Sequence, residues 1–202
     1  MIQKQEFAAR LTGACARVIA AEAELTDIDS RFGDADHGVT MTKICKAIAE
    51  AVAFSRGGIR EMLGDAADAV MMINGGSAVP LWNTWLDAMQ ENTPAGDEIS
   101  EEDLKHLFTA ACQELSALSR AKVGDKTMMD TIIPATQAIA ACQGDWKAIL
   151  SAGADGAEAG AEATRNFVSK FGRARSYGLQ TLGTPDAGAV STKYFFLGLA
   201  GR

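Results

Sequence analysis

The sequence predicts an all-α protein in which eight helices run up and down. Alanine is abundant and runs of β-branched residues are scarce, so helix propensity outweighs strand propensity almost everywhere. Apolar residues recur with helical periodicity in eight segments of the chain. No shift in composition, linker or internal repeat divides the 202 residues, and we therefore expect a single domain over residues 1–202.

The first four predicted helices follow from apolar spacing and from the glycines between them. Phe7 and Leu11 share one face of the first helix, and Val39 and Ile44 repeat the pattern in the second. A glycine turn at 74–77 precedes the fourth helix. The predicted spans are Lys4–Glu24, His37–Phe54, Ile59–Ile73 and Pro80–Glu91.

The last four predicted helices are delimited by caps and polar loops. Ser100 is an N-cap, and the three acidic residues after it suit the positive end of a helix. A polar, glycine-bearing segment at 171–185 separates the last two helices. The predicted spans are Ser100–Leu118, Lys126–Ala141, Asp145–Lys170 and Ala187–Leu199, and no strand is expected.

Charge and composition exclude several classes of function. The net charge is −7, the pI is about 4.9, and Lys and Arg form no stripe, so we expect no nucleic-acid surface. No apolar run approaches the roughly 20 residues that a membrane span needs, and the N-terminus lacks the apolar core of a signal peptide. The four cysteines are scattered, as is typical of free thiols in a reducing compartment. We expect a cytoplasmic protein that binds no membrane.

Three carboxylates lie close together after the first predicted helix, at Asp29, Asp34 and Asp36. Like charges at this spacing raise each other's pKa, and a bound divalent cation removes that cost. Oxygen ligands with no cysteine nearby favour Mg²⁺ or Ca²⁺ over zinc. An EF-hand is excluded because its twelfth position, counted from Asp27, is Gly38. Solvated acids at a helix end are the remaining alternative.

Polar clusters of glycine, aspartate and serine occur at four helix junctions, near 33–38, 74–78, 123–127 and 183–188. In an up-and-down arrangement of eight helices, these alternate junctions lie at the same end. We therefore predict that the four loops meet at one rim of the bundle. Because the chain is acidic, an anionic ligand there would need metal ions to mediate its contact.

Each of these loops also has an ordinary alternative role. Ser77 and Ala78 would offer backbone N–H groups to a phosphate, or would form a plain turn. Lys126 would neutralise a phosphate, or its segment would begin a helix capped by Asp125. His37 would bind the metal, act as a base, contact a nucleotide or only fix the loop. The predicted convergence on one rim favours the functional roles.

Taken together, these residues resemble the nucleotide-binding L subunit of dihydroxyacetone kinase over almost the full length of the chain. The resemblance rests on ordered motifs: Leu25-Thr-Asp-Ile-Asp29 with Gly33-Asp-Ala-Asp-His-Gly38, Gly75-Gly-Ser77 with Pro80, Gly124-Asp-Lys-Thr-Met128 with Asp130 and Pro134, Gly172-Arg-Ala174, and Asp186-Ala-Gly-Ala189. It implies a closed barrel of eight antiparallel helices with the nucleotide site at one rim.

The resemblance also implies a nucleotide held through two Mg²⁺ ions. Asp29, Asp34 and Asp36 would bind the metal ions. The residues that would line ADP or ATP are His37, Gly38, Val39, Thr40, Ser77, Ala78, Met128, Arg173, Asp186, Ala187 and Gly188. Asp34, Arg173 and His37 would take the catalytic roles, because phosphoryl transfer depends on positioning and on neutralised charge.

A kinase subunit of this kind works with a partner. A separate K subunit would hold the ketose, and the donor would be ATP or a phosphotransferase-system protein that rephosphorylates bound ADP. Gly178-Leu-Gln-Thr181 replaces the Gly-Glu-Arg-Ser common in the family, which leaves the ketose open between dihydroxyacetone and a related triose or tetrulose. A nucleotide-loaded regulatory subunit without catalysis is the alternative, and a homodimer is left open.

Overall fold

The computed structural model describes all 202 residues and is almost entirely helical. The all-α class is thereby confirmed. The α-helices are α1 (Lys4–Ala20), α2 (Glu22–Ser30), α3 (His37–Phe54), α4 (Ile59–Met71), α5 (Ala78–Glu91), α6 (Glu101–Ser119), α7 (Met129–Ala141), α8 (Trp146–Ala163) and α9 (Ala187–Ala200). Two 3₁₀ segments, Thr164–Asn166 and Arg173–Thr181, lie between α8 and α9.

Eight of these helices pack in an order that returns to its start. Helix α1 packs on α3, each later helix packs on the next, and α9 packs on α1. The short α2 lies against α3 and α9. Aromatic side chains fill the centre, where Trp82, Trp85 and Phe195 have ring centroids 4.9–5.6 Å apart. Trp82 and Trp85 are fully buried, so the two tryptophans belong to the core.

Helices α7 and α8 approach each other very closely. A Cβ atom at Gly160 of α8 would lie 2.1 Å from the Asp130 backbone oxygen of α7, and one at Gly156 would lie 2.6 Å from that of Pro134. Only residues without a side chain allow this contact. The contact fixes the first turn of α7, which carries Asp130, against α8.

The structure corrects several predicted boundaries. The first predicted helix is two helices, because the chain turns at Ala21, where ψ is 6°. Helix α7 begins at Met129 and not at Lys126, because Lys126 adopts a left-handed backbone conformation with φ of 62°. Helix α8 ends at Ala163 and not at Lys170.

A short β-pair also departs from the prediction that no strand forms. Strand β1 (Ile2–Gln3) pairs antiparallel with β2 (Glu98–Ile99), with Ile2 opposite Ile99. Both isoleucines are buried, so the pairing fixes the start of α1 beside the start of α6. None of the helices has the length and apolarity needed to cross a lipid bilayer.

Candidate nucleotide and metal site

The four polar junctions lie around one cavity of about 560 Å³, as their alternation along the chain predicts. Its wall includes Gly33, Asp34, Asp36 and His37 from the first junction, Gly76 to Ala78 from the second, Lys126 to Met129 from the third, and Pro185 to Gly188 from the fourth. The segment between α8 and α9 adds Ser169 and the residues from Phe171 to Ala174. The bundle therefore presents one site at the end where these loops meet.

The carboxylates of Asp29, Asp34 and Asp36 converge, with one oxygen of each within 4.8 Å of the others. Asp29 lies in the last turn of α2, and its Oδ2 atom accepts hydrogen bonds from the backbone N–H of Asp36 at 3.1 Å and of His37 at 3.4 Å. These bonds hold the loop against the start of α3. Gly33 is required here because its Cβ atom would lie 2.1 Å from Asp29 Oδ1.

The charges of this cluster are only partly compensated. Burial and the neighbouring charges of Asp34 and Asp29 raise the pKa of Asp36, whereas the Arg173 guanidinium lowers it. Arg173 Nη2 lies 2.8 Å from Asp34 Oδ2, although the arginine side chain is 69 % exposed. Three converging oxygen donors with one exposed counter-charge match the ligand set that a hard divalent cation such as Mg²⁺ prefers.

His37 connects the carboxylate loop to α9. Its Nε2 atom lies 3.0 Å from Ser191 Oγ. Burial lowers the pKa of the imidazole, while the charge of Asp29 opposes that shift. A ring held by α9 in this way is suited to orienting a ligand in the cavity.

Four helix N-termini border the cavity, those of α3, α5, α7 and α9. Ser77 precedes α5, and Asp186 caps α9 by accepting a hydrogen bond from the Ala189 N–H at 2.8 Å. Burial raises the pKa of Asp186 to about 7. Free N–H groups and the dipole at a helix start favour anionic ligands. Gly188 packs against Met128, with its Cβ position 3.6 Å from the Met128 amide nitrogen.

The remaining wall is apolar. Leu81, Trp82, Met128 and Met129 line the cavity, together with Leu118 at the end of α6 and Ala121 just after it. Sequence reasoning did not identify this end of α6, since it carries none of the glycine and aspartate that marked the other loops. A lining that combines carboxylates, helix starts and apolar side chains suits a ligand with an anionic part and an apolar part.

Lys126 lines the cavity, but its ammonium group is turned into the protein. Its Nζ atom lies within hydrogen-bond distance of the backbone oxygens of Thr164 (2.8 Å), Phe167 (3.1 Å), Thr181 (2.7 Å) and Thr184 (2.5 Å), and the residue is 4 % exposed. The interpretation that Lys126 neutralises a phosphate is therefore wrong in this structure. The ammonium instead satisfies carbonyl groups that burial has removed from water.

Asp125 does not cap the following helix. Its carboxylate accepts the Lys122 N–H at 2.8 Å and pairs with Lys170 at 2.7 Å. The buried Asp130 organises the loop in its place, because it accepts the N–H of Gly124 at 2.6 Å and of Thr127 at 2.7 Å. Burial raises the pKa of Asp130, and these backbone hydrogen bonds lower it.

Most of the predicted site residues line the cavity, but two do not. Thr40, Ser77, Ala78, Met128, Arg173, Asp186, Ala187 and Gly188 are in its wall together with His37 and the three aspartates. Gly38 instead packs on α2, where its Cβ atom would lie 2.2 Å from the Glu22 backbone oxygen. Val39 is 42 % exposed at the surface. Gly38 thus serves the close packing of α3 on α2.

Known proteins share both the sequence and the fold. A sequence profile of the DAK2 domain family matches residues 31–201. The D-erythrulose kinase of Mycolicibacterium smegmatis is 36 % identical over 190 residues, which cover 91 % of this chain and 33 % of that protein. The ADP-binding subunit DhaL of the PEP-dependent dihydroxyacetone kinase of Escherichia coli is 27 % identical over 191 residues, covering 92 % of this chain and 91 % of that subunit.

A solved structure has the same fold. The crystal structure of the dihydroxyacetone kinase from C. freundii in complex with AMP-PNP and Mg²⁺ gives a TM-score of 0.74 over 96 % of this chain and 33 % of that chain. At 23 % identity this likeness concerns the fold alone. The chain thus spans about a third of the length of the erythrulose kinase and of the solved kinase, and nearly all of the Escherichia coli subunit.

Proposed function

The chain belongs to the DAK2 domain family, and from that premise we propose that it is the nucleotide- and Mg²⁺-binding part of a ketose kinase. In this role it presents the phosphoryl donor to a ketose held by a separate K subunit. The eight helices that pack in a closing order would form a closed antiparallel barrel with the nucleotide at one rim. The whole chain, 1–202, would be this one domain.

The convergence of three carboxylates at a cavity of about 560 Å³ carries the proposal. Asp29, Asp34 and Asp36 would hold two Mg²⁺ ions, which neutralise phosphate charge and orient the phosphates when bound. Arg173 has an exposed guanidinium beside Asp34 and would add positive charge at the same place. His37, held by α9, would also steady the phosphates.

The nucleotide would occupy the rest of the cavity. The starts of α5 and α9, at Ser77–Ala78 and Asp186–Gly188, would direct N–H groups to its anionic part. Thr40 and the apolar side chain of Met128 would contact it from α3 and from the start of α7. We assign these residues to ADP or ATP because all of them line the same cavity.

The acceptor would be a small ketose. The relatives are named as kinases of dihydroxyacetone and of erythrulose, and both are short ketoses with a primary hydroxyl group. The likeness to subunits named DhaL favours a K partner, with either ATP or a phosphotransferase-system protein as the source of the phosphoryl group. A cytoplasmic location stays a prediction, and the oligomeric state stays open.

The test is reconstitution. The chain is mixed with a candidate K subunit, and phosphorylation of dihydroxyacetone and of each erythrulose enantiomer is measured with ATP and with a phosphoenolpyruvate-driven donor system. Asp34→Ala is expected to abolish activity with every donor while the helical circular dichroism is retained. Full activity of Asp34→Ala would contradict the kinase mechanism. Mg²⁺-dependent ADP binding by the wild-type chain, without transfer from any donor, would favour the regulatory subunit.

A further inference from the structure

The Lys126 ammonium lies in a cage of four backbone oxygens, and the proposed nucleotide site does not explain this arrangement. Its ammonium carries three N–H donors and lies within 3.1 Å of four backbone oxygens. Two of these oxygens, on Thr164 and Phe167, lie just after α8, and the other two, on Thr181 and Thr184, lie just before α9. A single cation therefore holds both ends of the segment 167–184.

The cage is adapted to a positive charge. Carbonyl groups at the end of a helix carry partial negative charge and lack partners within the helix. Burial and the nearby Arg165 guanidinium lower the pKa of the Lys126 ammonium, whereas the charges of Asp186 and Asp130 oppose that shift. A buried charge persists only where hydrogen bonds or counter-charges compensate it, and both are present here.

We infer that Lys126 is a positioning residue: its ammonium closes the segment 167–184 into a fixed loop and thereby places Arg173 and Asp186 at the cavity. Arg173 lies within the segment and Asp186 follows it directly. Two further hydrogen bonds close the same loop, from the Ser169 N–H to Thr181 Oγ1 at 3.0 Å and from the Gly183 N–H to the Arg165 oxygen at 2.8 Å. The consequence for ligand binding rests on the proposed nucleotide site, whereas the loop closure does not.

The cage permits a chemical-rescue experiment. Lys126→Gly removes the side chain, and glycine accepts the φ of 62° without strain. Butylammonium has the length and head group of the missing side chain. Lys126→Met is the matched control, because the methionine side chain fills the space of the lysine side chain without donating a hydrogen bond. Lys122→Met removes the same charge from an exposed position in the same loop.

The first readout is amide hydrogen exchange of residues 167–184 in the nucleotide-free protein. We expect exchange at least tenfold faster in Lys126→Gly than in the wild type, with α1 and α3 unchanged. Butylammonium chloride should restore slow exchange to within about threefold, and tetramethylammonium chloride at equal concentration should not. Lys126→Met should show fast exchange that neither salt restores, and Lys122→Met should match the wild type. Wild-type exchange in Lys126→Gly, or equal rescue by both salts, would overturn the inference.

The second readout is the affinity for Mg²⁺ and ADP. Lys126→Gly should bind ADP at least tenfold more weakly, and butylammonium should restore the affinity. A wild-type chain that binds no ADP would refute the proposed function while the exchange experiment still tests the cage. If Lys126→Gly fails to fold, NMR of the ¹⁵N-lysine-labelled wild type tests whether a buried lysine ammonium is protected from solvent. One ammonium signal that persists at neutral pH supports the cage, and its absence contradicts it.

Discussion

Gly33→Ala tests how the carboxylate cluster is built. A Cβ atom at this position would lie 2.1 Å from Asp29 Oδ1 and 2.9 Å from the Asp29 backbone oxygen. The backbone oxygen cannot yield easily, because it accepts the Gly33 N–H at 2.6 Å. The Asp29 side chain must therefore rotate, and this breaks the hydrogen bonds that it accepts from the Asp36 and His37 amides.

These two hydrogen bonds set the size of the effect. Hydrogen bonds to a charged acceptor contribute about 1.5–3 kcal/mol each, and the His37 bond is long, so the unfolding free energy without metal should fall by about 2 kcal/mol. Displacing one of three metal ligands should also weaken Mg²⁺-dependent ADP binding at least tenfold, about 1.4 kcal/mol. Urea denaturation in EDTA measures the first effect, and calorimetric titration of ADP with Mg²⁺ measures the second.

Gly13→Ala is the matched control. Gly13 lies inside α1, where a Cβ atom would make an ordinary contact at 3.5 Å with the Gly198 oxygen. An alanine there should stabilise the helix by up to about 1 kcal/mol and leave ADP affinity unchanged. Wild-type ADP affinity and metal dependence in Gly33→Ala would refute the claim that Gly33 shapes a metal site.

Three further substitutions test separate parts of the structure. Arg173→Ala should weaken ADP binding about tenfold, yet change the unfolding free energy by less than about 1 kcal/mol, because its ion pair with Asp34 is exposed; a large loss of stability would contradict this. Asp186→Asn should flatten the pH dependence of stability in EDTA. The folded-state pKa of Asp186, about 7, lies above the unfolded value, so the folded wild type binds the extra proton and loses stability as the pH rises from about 4 to 7. Urea denaturation at pH 5 and pH 7.5 measures this loss, and an equal change in unfolding free energy in the wild type and in Asp186→Asn would argue against it. Gly160→Ala should lower the unfolding free energy by about 2 kcal/mol in thermal denaturation, because its Cβ atom would overlap the Asp130 backbone oxygen; an unchanged midpoint would show that α7 and α8 separate easily.

The helical class could be predicted because periodicity is a local property. Apolar residues located all eight long helices, since these helices bury apolar faces in a common core and α9 is enclosed on all sides. The turn at Ala21 could not be predicted, because alanine and the glutamates that follow favour helix on both sides. The break instead lets α2 pack against α3 and α9, a contact that is invisible in the local sequence.

The candidate site was predictable to the extent that its residues are close in sequence. Asp29, Asp34 and Asp36 lie within eight positions, and clusters of glycine, aspartate and serine at helix junctions indicated the other loops of the site. The role of Lys126 was not predictable, because its four acceptors lie 38 to 58 residues further along the chain and are backbone atoms. A backbone carbonyl carries no residue type, so no motif could mark the cage.

The most direct measurement is the identity and metal dependence of the nucleotide that the natively purified chain holds. If the carboxylates contact the phosphates through Mg²⁺, ADP or ATP should bind when Mg²⁺ is present and should be released by EDTA. Neither nucleotide should bind to Asp34→Asn at any Mg²⁺ concentration that saturates the wild type. Nucleotide binding of equal affinity in EDTA, or no nucleotide binding under either condition, would contradict the metal-bridged site.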